Sequence, residues 1–157
     1  MPIVLDHKAL EGHLPHRGCN LLPDRVELSD DGKKAYSFAR ITAGDPRGRE
    51  ILGRRDGSGA ACWYEPFLFE YLALTGIPLL SQRLAAAGQV AVFSSISRIA
   101  FHRQAPLHGE LVGFTEMTRD RAPFAVFSSW AEINGVRIME GEVMSGASTM
   151  EIGRAHV

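Results

Sequence analysis

The chain has 157 residues, 45% of them apolar and 22% charged, with a formal net charge of −1. That length supports one domain with its own core, and the near-neutral balance excludes bulk attraction to nucleic acid or an anionic membrane. The two cysteines, Cys19 and Cys62, lie far apart without metal-ligand spacing, and the sequence shows neither a signal peptide nor an apolar run long enough to span a bilayer. The expectation is a cytoplasmic protein with reduced thiols.

In chain order, residues 3–12 read as one or two helical turns around Leu5, Ala9 and Leu10. Pro and Gly keep residues 14–23 extended and turning, and they lead into a strand near residues 24–28. Ser29-Asp30-Asp31-Gly32 is a turn, because Asp tolerates left-handed dihedrals and Gly adopts them freely. Residues 34–41 alternate and predict the second strand of a hairpin. Residues 43–59 are rich in Gly and Arg. They read as a solvated loop, with a basic flap as the functional alternative.

Residues 66–80 then run apolar on almost every side. A helix with no polar face is buried. Pro66 suits its first turn, and Gly76 and Pro78 predict its end, with a linker and a short helical turn over 81–88. Glu70 is the only charge in the run. Burying a carboxylate is costly unless it is paired or protonated, so Glu70 either reaches water where the helix end frays, pairs with an arginine, or is used by a site.

From residue 89 onward the pattern is β: strands over 89–102, 110–118, 123–133 and 136–144. Asn134-Gly135 is the strongest hairpin signal of the chain. One early helix followed by long antiparallel strands predicts an α+β fold, with a curved sheet wrapped around the buried helix. A single domain covers residues 1–150. Residues 151–157 read as a non-native tail, since Glu151-Ile152-Gly153-Arg154-Ala155-His156-Val157 matches the translation of a sequencing adapter, and His156 is given no role.

Four stretches, in order, resemble one family. Leu14-Pro15-His16-Arg17 with Leu21-Leu22 and Asp24-Arg25-Val26 is similar to the opening of the hotdog-fold 3-hydroxyacyl-carrier-protein dehydratases. Phe69-Glu70-Tyr71-Leu72-Ala73 with Gly76 is similar to their helix motif. Residues 96–103 with His108-Gly109-Glu110-Leu111, and Asn134-Gly135-Val136 with Glu140-Gly141-Glu142-Val143-Met144, resemble their later strands. The Glu-Tyr form of the helix motif is closest to the dehydratase-like proteins of aryl-polyene and polyketide-type gene clusters.

The resemblance implies a hotdog fold, a homodimer or a heterodimer with another hotdog protein, acyl tunnels at the interface, and no cofactor. It also implies a catalytic His just before the helix and a carboxylate on the helix from the partner subunit. A base of near-neutral pKa suits the weakly acidic α-proton of a thioester, and an N–H donor, such as a helix N-terminus offers, suits the enolate oxygen. Glu70 matches the carboxylate. The family's His has no match, since no His lies between Ile41 and Phe69, and the helix Gln is replaced by Leu74.

Among the other histidines, His16 is the candidate catalytic residue. Its structural reading is a ring that satisfies local backbone groups. His102 reads as a half-exposed strand residue, His108 as a solvent-facing turn residue, and His7 and His13 as N-terminal positions without an assigned role. No residue spacing supports a metal site or a serine nucleophile.

Three functions follow from these residues. One is a 3-hydroxyacyl-carrier-protein dehydratase. Another is a non-catalytic hotdog subunit that binds acyl-carrier protein or completes a heterodimeric dehydratase. The last is an acyl-thioesterase. The expected partner is acyl-carrier protein with its thioester-bound chain. Because that partner is acidic, Arg98 and Arg103 are candidate carrier-binding residues, beside Arg119 and Arg121; Gly76 is a candidate substrate-binding position.

Overall fold

The computed structural model describes residues 1–49 and 53–149; the 151–157 tail and part of the Arg-rich stretch lie outside them. The chain runs β1 (Ile3–Asp6), α1 (His7–Leu10), a 3-10 turn (Gly18–Asn20), β2 (Arg25–Leu28) and β3 (Lys34–Arg40). It continues through β4 (Gly53–Arg55), β5 (Ala61–Trp63), α2 (Glu65–Gly76) and α3 (Pro78–Ala86). It closes with β6 (Gln89–Phe101), β7 (Glu110–Arg121), β8 (Phe124–Ile133) and β9 (Val136–Thr149). Among the described residues these strands form a seven-stranded antiparallel sheet, ordered β1-β2-β3-β7-β8-β9-β6, and a two-stranded hairpin of β4 and β5. Helix α2 packs on β7, β3 and β8, as the predicted wrapping of a helix by a sheet requires.

Small residues make that wrapping close. Period-two alternation turns Ala35, Ser37 and Ala39 of β3 inward, where all three are buried. Opposite them on β7, Gly113 lies directly under α2. A Cβ there would sit 2.4 Å from Ser37 Oγ and 2.8 Å from Tyr71 Cε1. Only glycine lets helix and strand approach this far.

The polar groups trapped at this contact are satisfied. Tyr71 donates its hydroxyl to Leu111 O at 3.2 Å. Thr75 Oγ1 lies 2.8 Å from Tyr71 O and 2.6 Å from Ser37 Oγ. Thr115 and Ser129 bridge their hydroxyls at 2.9 Å. A buried hydroxyl left alone costs about 1–3 kcal/mol, so this belt also fixes the helix register. Burial drives the Tyr71 phenol far above its usual range, so it stays a neutral donor.

Four expectations need correcting. Residues 3–6 form strand β1, paired with β2, and only one helical turn follows, capped by Asp6 on Ala9 N–H at 2.8 Å. Helix α2 ends at Gly76 as expected, but residues 78–86 form a second helix where a linker with a short turn was expected over 81–88. Pro78 opens α3 at a first-turn position, where its missing N–H is harmless. In the described part of the 43–59 stretch, Arg47 is not solvated as composition suggests. Arg47 is 11% exposed and joins Asp24 and Asp45, each at 2.9 Å, while donating to Leu22 O at 2.6 Å. Gly57-Ser58-Gly59 is the tip of the β4–β5 hairpin, gathered by the Asp56 carboxylate.

The fourth correction concerns the buried rod itself. Leu68, Tyr71, Leu72, Leu74 and Thr75 are buried, but Phe67, Phe69, Glu70 and Ala73 are only partly covered and Pro66 is exposed. The sheet of this chain wraps one side of α2 and leaves that other side open. Edge strand β6 leaves Val90, Val92, Phe93 and Ile96 38–55% exposed. Helix face and strand edge meet where Phe69 packs edge-on against Phe93 at 5.6 Å.

Candidate active site

Glu70 stands on the open face of α2, in its second turn. Its side chain is 44% exposed and pairs with no arginine among the described residues. It meets His16, whose Nε2 lies 3.1 Å from Glu70 Oε1. No spacing or motif in the sequence pairs these two, and the carboxylate stays within reach of water. His16 does not serve the local backbone either, because its Nδ1 is buried with no hydrogen-bond partner among the described residues.

The loop carrying His16 is irregular, lying between α1 and the 3-10 turn. Leu10 and Leu14 anchor it in the core. Arg17 folds back to donate to Leu14 O and His16 O, both at 2.7 Å, and to Glu11 O at 2.9 Å. His16 is thus presented from a loop whose carbonyls are already occupied.

His16 and Glu70 line a cleft of about 330 Å³ with Asn20, Leu22, Pro66 and Phe67. His16 also lines a groove of about 390 Å³ that runs between the N-terminal loop, α3 and the start of β6. Ile77 and Ala91 of that groove also line a small apolar cavity, about 50 Å³, closed by Gly76, Phe93, Thr115 and Phe127. Two ionisable groups at a cleft, with an apolar groove and cavity nearby, form the usual pattern of a site that handles a proton on an apolar substrate.

The other predicted residues divide. Gly76 lines the apolar cavity, where a Cβ would meet Thr115 Cγ2 at 3.0 Å. Arg98 lies on β6 opposite Glu142, and Arg103 lies beyond the strand's end; both are exposed and neither lines the cleft. His102 is half exposed as expected, near Glu140 at 3.8 Å, but it follows the end of β6 rather than lying in the strand. His108 is exposed, as expected, and its Nδ1 also contacts Ile41 O at 2.9 Å.

The helix N-terminus offers little as an oxyanion donor. Pro66 has no N–H, and the Phe67 N–H donates to Tyr64 O at 3.0 Å. Asn20, which sequence reasoning passed over, lines the same cleft. Among the described residues no group of three or more His, Cys, Asp or Glu could hold a metal ion, and no helix is long and apolar enough to cross a membrane.

A long antiparallel sheet wrapped on one central helix defines a hotdog-fold protein, and solved structures agree. The dehydratase heterocomplex ApeI:P from Xenorhabdus doucetiae matches with a TM-score of 0.72 over 94% of this chain and 97% of that one, at 12% identity. A hot-dog-like protein from Thermanaerovibrio acidaminovorans matches with a TM-score of 0.61 over 79% and 87%, at 13% identity. No family model matches the chain. In sequence, it is 30% identical over 149 residues to the 3-hydroxyacyl-[acyl-carrier-protein] dehydratase FabZ of Listeria monocytogenes, covering 94% of this chain and 99% of that relative. The chain belongs to the FabZ-like 3-hydroxyacyl-[acyl-carrier-protein] dehydratase family.

Proposed function

We propose that the protein removes water from 3-hydroxyacyl thioesters carried on acyl-carrier protein, with His16 and Glu70 as the reacting pair. The contact between His16 Nε2 and Glu70 Oε1 carries this reading. It supplies an acid and a base on one cleft even though the family's usual His is missing.

The proton count closes. His16 Nε2 takes the α-proton and passes it across the contact to the Glu70 carboxylate, which delivers it to the departing hydroxyl. The C–O bond breaks, a C=C bond forms beside the thioester, and water leaves. The proton taken from the α-carbon leaves with that water, so both side chains end as they began and no outside reagent is needed. The Asn20 amide stabilises charge on the thioester oxygen during α-proton removal. The acyl chain lies in the groove past Ile77 and Ala91, because that path is apolar.

A second chain belongs against β6. An edge strand with exposed Val90, Val92, Phe93 and Ile96 is a template for pairing, and the open face of α2 beside it needs a cover. The partner is a second copy or another hotdog subunit, in the cytoplasm.

The test uses purified protein and a 3-hydroxyacyl-acyl-carrier protein, followed by enoyl-thioester absorbance and free-acid analysis. Enoyl product that is lost in Glu70→Gln and in His16→Ala is the expected result. Product formed only when a neighbouring dehydratase is added would make this chain the accessory subunit. Free acid in place of enoyl product would make it a thioesterase.

A further inference from the structure

A catalytic histidine is usually aimed by a hydrogen bond to its second nitrogen. His16 lacks that device, since its Nδ1 has no partner among the described residues. Its aim must then come from the loop that carries it. Arg17 stiffens that loop internally, but its three bonds go to Glu11, Leu14 and His16, all within the same loop. They do not set where the loop stands relative to Glu70.

One side-chain contact does. His13 Nδ1 lies 2.6 Å from Ser81 Oγ on α3. Ser81 also reaches back to Pro78 O at 3.2 Å, so its hydroxyl proton has a carbonyl to serve while its lone pairs face His13. Only Ile77 separates α3 from α2, the helix that carries Glu70. The N-terminal loop is therefore pinned to the helical layer twice, at His16–Glu70 and at His13–Ser81. His13, His16 and Ser81 border the same groove, lined also by Ile77, Leu84 and Ala91. With the second pin gone, the loop keeps its internal bonds and its Leu14 anchor but is free to pivot. The imidazole, with one nitrogen unpartnered, turns with it.

We propose that His13 and Ser81 form a positioning pair that sets the approach of His16 to Glu70. This rests on the reading of His16 and Glu70 as the reacting pair. Neither His13 nor Ser81 touches the reacting atoms in this proposal. Displacing a catalytic group by an ångström costs on the order of tenfold to a hundredfold in rate, so the effect falls on kcat and leaves KM nearly unchanged.

The experiment combines kinetics with 15N NMR of the His16 ring in the full chain. Glu70→Gln calibrates how far the Nε2 signal moves when its partner charge is lost. In Ser81→Ala the signal is expected to move at least part of the way to that position, and kcat to fall roughly tenfold or more. Ser81→Thr keeps the hydroxyl and recovers most of both. His13→Asn, made separately, cuts the contact from its other side and gives the same loss if Ser81→Ala proves poorly folded.

Wild-type kcat and an unmoved His16 signal in Ser81→Ala and His13→Asn overturn the positioning pair alone. An unmoved signal in Glu70→Gln overturns the His16–Glu70 contact, and the positioning pair with it. A wild type that turns over no 3-hydroxyacyl thioester defeats the proposed function, while the ring signals still decide whether the His13–Ser81 contact aims His16.

Discussion

His16 Nε2 and Glu70 Oε1 meet at 3.1 Å within a single chain. The family resemblance implies a carboxylate donated across a subunit boundary, so this arrangement makes a distinct prediction. His16→Ala and Glu70→Gln each lower turnover by about 10²–10⁴-fold. When the two variant chains are co-expressed and mixed assemblies purified, turnover stays at the level of the parents. Recovery of a substantial share of wild-type turnover would show that the reacting pair is drawn from two chains.

Asn20 borders the cleft together with His16 and Glu70. If its amide holds the enolate oxygen, Asn20→Ala lowers kcat by about 10²-fold with little change in KM. Steady-state kinetics on one thioester substrate checks this. An unchanged kcat removes Asn20 from the chemistry.

Ile77 and Ala91 line both the groove and the small apolar cavity. Ala91→Leu adds three carbons there. Longer acyl chains then lose kcat/KM by roughly tenfold relative to short ones, on the scale of a few methylenes in a filled pocket. A chain-length series of substrates measures the ratio. An unaltered ratio would place the acyl chain elsewhere.

Gly113 is where helix and sheet nearly touch. In Gly113→Ala the new Cβ meets Ser37 Oγ and the Tyr71 ring well inside contact distance. Overpacking of this kind costs about 1–3 kcal/mol. Urea unfolding should show a lower midpoint with an unchanged slope.

Arg47 links the 43–49 loop to the leader of β2. Its hydrogen bond to Asp45 holds the Asp45 carboxyl below the usual carboxylate range, against the opposing effect of burial. The folded state thus binds this proton later than the unfolded chain does. The stability contributed by the pair is complete above the unfolded carboxylate pKa and is lost as pH falls through the lower folded value. The stability gap between the wild type and Asp45→Asn is therefore constant near neutrality and shrinks in acid. Unfolding curves across that range test it, and a gap that widens in acid contradicts it.

Much of the architecture could be read without coordinates because its signals are short-ranged. Asn134 and Gly135 take φ of 49° and 78°, the left-handed dihedrals that a two-residue hairpin needs. Alternation along β3, β8 and β9 placed those strands within a residue or two at their starts. Pro66 and the unbroken apolar run located α2. Motif resemblance then singled out Glu70 and, less directly, His16.

What local patterns could not supply was partnership. Composition made Arg47 look solvated, although its guanidinium closes a three-way contact between segments distant in sequence. The same uniform apolarity that located α2 concealed that one of its sides is left open by its own sheet. The meeting of His16 with Glu70, and of His13 with Ser81, is decided by how β1 and α1 dock beside the helices. Periodicity reports which way a side chain turns about its own backbone axis, whereas a site depends on the distance between axes, and only the packed core sets that distance.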